Sequence, residues 1–195
     1  MTAKIKLNAA SGGGSFSLQA PSSSANTRVM TLPDTADGTI LTTTNPKAGN
    51  IIQVVQAFKT DAASTTSTSF TDISGLSVSI TASSASNKFL INFNIMASCD
   101  NGIDAFLTLL KDSSRIGDGS SGTADNACAL VRDTDDRIVD SYGLSFLQVA
   151  GDTNAHTFKV RFRTSNSSNP VVVNRRNHDT AFGFSSSITV MEVAV

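Results

Sequence analysis

Between Lys88 and Met96 the chain alternates strictly. Phe89, Ile91, Phe93 and Ile95 fall on one side of an extended backbone, and Asn92 and Asn94 on the other. A period of two collects a whole apolar set on one face of a strand, whereas a helix would scatter the same residues around its axis. The pattern recurs. Ser74–Thr81 alternates around Leu76, Val78 and Ile80, and in Thr157–Arg163 the residues Phe158, Val160 and Phe162 oppose Lys159, Arg161 and Arg163. Ile51–Lys59, Ala105–Lys111, Tyr142–Val149, Val171–Val173 and Ser187–Val195 are further apolar-rich extended runs. Ser, Asn, Asp and Gly turns separate them, only Ala127–Val131 is ambiguous, and no segment sustains a helical period. About eight strands of this kind predict an all-β fold, a two-sheet sandwich or jelly roll.

Composition supports the same class. The chain has a single Glu, 11 Phe and many Val, Ile and Thr, a mixture suited to pleated, half-buried strands rather than helices. Charged residues are only 16% and the net charge is −1, so no global field favours nucleic acid or an anionic membrane. No apolar run approaches the roughly 20 residues that span a bilayer, so membrane insertion is not expected. MTAKIKLNAASGGG lacks the apolar core of a secretory signal, and the chain is expected to be made in the cytoplasm.

The first 49 residues differ from the rest. Lys4–Asn8, Ser15–Gln19, Val29–Leu32 and Thr39–Thr42 are short bursts with two or three apolar side chains each, separated by Gly, Ser and Pro loops. Such strands bury too little area to offset roughly 1–2 kcal/mol of backbone entropy per ordered residue. They are expected to pack against copies of themselves or a larger body, with Ile5, Leu7, Phe16, Leu18, Met30 and Leu32 as anchors. Residues 43–50 form a hinge, which divides the chain into an attachment segment, 1–49, and a larger domain, 50–195.

Ser187–Val195 stands apart from the other strands. Ile188 and Val190 lie on one face, while Met191, Val193 and Val195 lie on the other. Two apolar faces call for a second burial partner, either an oligomer axis lined by Met191, Val193 and Val195 or a covering loop.

Chemistry-bearing motifs are sparse. Gly117–Gly122 matches GxGxxG but lacks the strand-before, helix-after context of a dinucleotide site. His156 and His178 read as surface loop residues. Asp133, Asp135, Asp136 and Asp140 are interleaved with Arg132 and Arg137 and read as a solvated loop rather than a calcium cage. Cys99 and Cys128 read as partly buried free thiols, with a bridge between them left open. No catalytic, cofactor or metal site is predicted. Asn174, Arg175, Arg176 and His178 form the most polar cluster beside an apolar strand. They suit either subunit pairing or recognition of a carboxylate or sugar.

The string SFSLQAPSS…RVMTLPDTADGTILTT resembles a module of tailed-bacteriophage fibre and virion proteins, especially of marine and cyanobacterial phages. IIQVVQAFKTDAASTTSTSFTDISGLSVSITASSASNKFLINFNIMAS and SSITVMEVAV are similar to the C-terminal domains of such virion proteins. The resemblance implies a trimer of jelly-roll knobs in a tumour-necrosis-factor-like arrangement, located in the virion, partnered by other virion proteins and carrying no catalytic residues. The module begins here at Met1, which favours a capsid decoration protein or short spike over the tip of a long fibre. The competing expectation is a tail-fibre tip that binds host surface glycan through the loops after Asp100, Asp118 and Asn174.

Overall fold

The computed structural model describes residues 4–19, 22–25, 27, 46–122 and 126–195. The chain divides into two compact units, Met1–Ile40 and Leu41–Val195.

In the first unit, β1 (Lys4–Asn8) and β2 (Ser15–Gln19) form an antiparallel hairpin with Ile5 opposite Leu18 and Leu7 opposite Phe16. Ala9 N–H closes the turn on Gly14 O at 2.8 Å. Ile5 and Leu7 are 65% and 60% exposed. Two strands alone are marginally stable in water.

The second unit holds β3 (Ile51–Lys59), β4 (Ala63–Thr65), β5 (Thr71–Thr81), β6 (Lys88–Cys99), β7 (Ala105–Lys111), β8 (Ser114–Ile116) and β9 (Ala129–Val131). It continues with β10 (Asp140–Val149), β11 (Ala155–Thr164), β12 (Val171–Val173) and β13 (Ser186–Val193). One sheet runs β3–β13–β6 with β10 on the far side of β6, and the short β4 and β12 extend the lanes of β3 and β13 past Ala97 and Cys99. The other runs β5–β11–β7, with β8 and β9 sharing the last lane.

The pairing is nested. The first long strand pairs with the last (β3 with β13), the second with the next to last (β5 with β11), and β6 pairs with β10. β7 pairs with the short β8 and β9 that follow it. A single long hairpin rolled so that its pairs alternate between two sheets is a jelly roll. The alternating residues meet between the sheets, where Phe89, Ile91, Phe93 and Ile95 pack with Leu107, Leu109, Phe158 and Val160, all fully buried or nearly so.

Candidate functional site

The two outer faces of the sandwich are chemically unlike. On the β5–β11–β7 sheet the outward rows carry Lys159, Arg161 and Arg163 down β11, with Arg115 beside them in register with Leu110. Asp72 pairs with Lys159 at 3.1 Å and with Arg161 at 2.9 Å, and Asp118 pairs with Arg115 at 2.6 Å. Arg163 stacks 4.0 Å from the Phe106 ring centroid. This is an ordinary solvated face, with charged heads in water and stems along apolar surface.

The outer face of the β3–β13–β6–β10 sheet is different. Strand register sets four rows across it: Ile51–Val193–Lys88–Val149, Val54–Met191–Leu90–Leu147, Gln56–Thr189–Asn92–Ser145 and Phe58–Ser187–Asn94–Gly143. Lys88 is the one charged side chain in these four rows. The first two rows are otherwise wholly apolar, and Ile51, Val54, Leu147 and Val149 are about half exposed. The flanking strands β3 and β10 are nine and ten residues long, and neither has a Pro. Natural sheets blunt long edges with charge, Pro or bulges, and these lack such protection over most of their length. Met191 and Val193 are half-buried in the apolar rows, and Val195 lies just beyond the strand end, 65% exposed.

The polar rows enclose a depression of about 560 Å³. Gly143 leaves it open: a Cβ there would lie 2.6 Å from Phe93 O, so the close strand approach admits no side chain. β6 contributes Asn92 and Asn94, β10 contributes Ser141 and Ser145, and β13 contributes Ser187 and Thr189. Ser141 donates to Asn94 Oδ1, and Gln56 Nε2 donates to Thr189 Oγ1 at 2.8 Å.

Of the expected anchors, Ile5, Leu7 and Leu18 lie on one side of the hairpin, the Phe16 side chain lies outside what is described, and Met30 and Leu32 lie outside the described residues. The cluster expected on an exposed loop is in large part committed internally. Asn174 is not exposed: it is buried at φ 64°, donating from Nδ2 to Lys59 O at 2.9 Å and Asp61 O at 3.1 Å, and accepting from Ser186 Oγ. These bonds tie the β3–β4 corner to Ser186 of β13. Arg176 forks onto Asp179 at 2.7 and 2.9 Å and covers Phe182, Arg175 donates to the carbonyls of Arg176 and Asp179, and His178 Nδ1 lies 3.2 Å from Asp136.

Two further expectations are corrected. His156 lies in β11, not in a surface loop, and is buried edge-on to Phe89 with Nδ1 2.8 Å from Asp112 and Nε2 3.1 Å from Asp152. Asp133 is buried rather than solvated, and accepts Cys99 N–H at 2.7 Å. Burial pushes its carboxyl above the ordinary value, and the Cys99 N–H offsets only part of this. Both cysteines are free, with their thiols pushed by burial to about 11 at Cys99 and about 12 at Cys128. Gly117–Gly122 is a loop, and among the described residues no group of three or more His, Cys, Asp or Glu could hold a metal.

Glu192 was not foreseen. It points into the sandwich from β13, fully buried, and among the described residues it makes no ion pair. Gln53 Nε2 donates at 2.6 Å to one oxygen; Ser83 N, Ser83 Oγ and Asn87 Nδ2 donate at 2.7, 2.7 and 2.6 Å to the other. Burial would raise this carboxyl, but the donors outweigh it and hold it below the ordinary glutamate value. The cluster fastens β3, β13 and the β5–β6 turn at one end of the sandwich. The sequence signal was a lone Glu inside an otherwise apolar strand.

Neither a family model nor a curated protein sequence matches the chain. Among solved structures it is similar to infectious bursal disease virus, Gx strain, at 13% identity over 92% of this chain and 46% of that one, with a TM-score of 0.42. It is similar also to T=1 particles derived from that virus, at 11% identity over 92% and 45% with a TM-score of 0.43. A VP2 subviral particle of the virus matches at 11% identity over 86% and 46%, with a TM-score of 0.39. The chain thus spans less than half the length of these chains. The fold assignment rests on the strand pairing itself.

Proposed function

We propose that this chain is a non-enzymatic structural protein of a bacteriophage virion, a homotrimeric capsid decoration or short-fibre protein. In this reading residues 1–49 attach it to other virion proteins, and residues 50–195 form the exposed knob. The observation that carries the assembly is the outer face of the β3–β13–β6–β10 sheet, whose four rows hold Lys88 as their one charged side chain. Its two apolar rows expose Ile51, Val54, Leu147 and Val149 beside half-buried Met191, Leu90 and Val193, a contiguous apolar surface of the kind that marks interaction sites.

A second copy is the partner that fits. The apolar rows of one subunit can pack against those of the next, and such a contact closes into a three-fold ring when the rotation between subunits is a third of a turn. The virion context comes from the resemblance carried by residues 15–43, 51–98 and 186–195. The apolar side of the β1–β2 hairpin, with Ile5, Leu7 and Leu18, supplies an exposed surface for that attachment.

The test has two arms. The full chain should have a mass in solution three times that of the 20.3 kDa polypeptide, and Met191→Lys should reduce it to one. Ile5→Asp combined with Leu7→Asp should leave the mass unchanged and abolish co-sedimentation with virus particles. A monomeric wild type would refute the assembly, and undiminished co-sedimentation would refute the attachment.

A further inference from the structure

We infer that the depression around Gly143 is a binding site for a neutral saccharide. The inference is independent of the virion reading, because it concerns only the two polar rows of the sheet face.

Three features select the ligand class. First, the lining has no titratable group: Asn92, Asn94, Ser145, Ser187 and Thr189 offer amides and hydroxyls alone. A site without charge does not repay the desolvation of a phosphate, carboxylate or metal ion. A neutral ligand rich in hydroxyls matches it, since each amide and hydroxyl can both donate and accept. Second, donors and acceptors are available. Among the described residues the side chains of Asn92, Ser145 and Ser187 make no hydrogen bond within the chain, although they stand on three adjacent strands facing one space. Third, an exposed aromatic ring stands one strand beyond the lining. Phe58 is 62% exposed and paired with the lining residue Ser187, in the same row as Asn94 and Gly143. A ring beside a polar floor accommodates the apolar C–H face of a pyranose while the floor engages its hydroxyls.

The volume, about 560 Å³, is that of a site for a small ligand. Because the depression is shallow and preformed on a rigid sheet, each contact is worth about one neutral hydrogen bond, so affinity for a single sugar unit should lie in the range of roughly 1 mM. Repeated copies on one assembly would strengthen binding to a polysaccharide without any new contact.

The experiment titrates the full-length protein with four probes: methyl α-D-glucopyranoside, methyl α-D-mannopyranoside, methyl β-D-galactopyranoside and N-acetylglucosamine. The readout is side-chain amide resonances in NMR spectra, with solution mass recorded on the same samples. At least one probe should shift the Asn92 and Asn94 amides in a saturable manner. Asn92→Ala and Phe58→Ala should each weaken binding by about five-fold, the worth of one such contact, without changing mass or melting temperature. Both side chains are exposed, so neither change threatens the fold. The inference is overturned if no probe shifts these amides, whether because nothing binds or because a neighbouring copy covers the site. It is equally overturned if the affinity survives both substitutions. The mass measurement reports on assembly separately, so the two readings fail separately.

Discussion

Replacing Glu192 by Gln changes the shape of the side chain hardly at all, but removes one acceptor oxygen and the charge. In the wild type four donors converge on the carboxylate. In the variant the remaining oxygen can keep the three from Ser83 and Asn87, while the new NH₂ faces the Gln53 amide. That amide must then turn and give up its own bond to Thr81 O at 2.6 Å, or leave two donors in contact. One solvent-exposed hydrogen bond is lost, at about 0.5–1.5 kcal/mol, and three charge-assisted bonds become neutral ones at a few tenths each. The expected cost is about 1–2.5 kcal/mol, or roughly 3–8 °C in melting temperature for a domain of this size. Urea unfolding at pH 7 measures it.

The pH dependence provides a second check. The folded carboxyl titrates below its unfolded value of about 4.3, so its contribution is complete above that pH and is lost as pH falls through the folded value. The gap between wild type and E192Q should therefore narrow on acidification. A gap under about 0.5 kcal/mol at pH 7, or one that widens in acid, would refute the account.

Other expectations follow from the same geometry. Asp133 has the opposite sign, because its raised pKa makes folding less favourable as pH rises from the unfolded value of about 3.9 toward the folded one; D133N should gain on wild type over that interval in parallel urea titrations. Gly143→Ala places a methyl 2.6 Å from Phe93 O and should cost about 1–3 kcal/mol by chemical denaturation. His156→Ala empties a buried ring site between Asp112, Asp152 and Phe89 and should cost about 2–4 kcal/mol, read from the thermal midpoint. Leu90→Lys, in the centre of the apolar row, should dissociate the assembly as Met191→Lys does, with light scattering giving the mass.

Much of the fold was legible because alternation is a local signal. Lys4–Asn8, Ser15–Gln19, Ile51–Lys59, Ala105–Lys111 and Val171–Val173 are strands with the bounds their patterns suggest. Ala63–Thr65 and Ser114–Ile116 escaped, since three residues carry no period and become strands only by lying beside Val171–Val173 and Leu109–Lys111. The outward position of Met191 and Val193 was readable within a single strand. The largely apolar face they belong to was not, because it takes four strands that are neighbours only in space. His156 misled for a similar reason: Gly151–Ala155 looks like a loop, and the Asp112 that buries the ring is 44 residues away. Glu192 and Asn174 depend on partners from several segments, which no local window contains.

The nested pairing also dictates an order of events during synthesis. β13 fits between β3 and β6, so until residues 186–193 have left the ribosome those two strands cannot share a sheet. The emerging chain must hold Ile51–Phe58 as an unpartnered apolar strand while more than a hundred further residues are made. Contacts closed at such long separation form slowly, and an open apolar strand invites pairing with another chain. Yield should therefore be set by how long the nascent chain waits for β13, and slowing translation between residues 60 and 186 should increase aggregation.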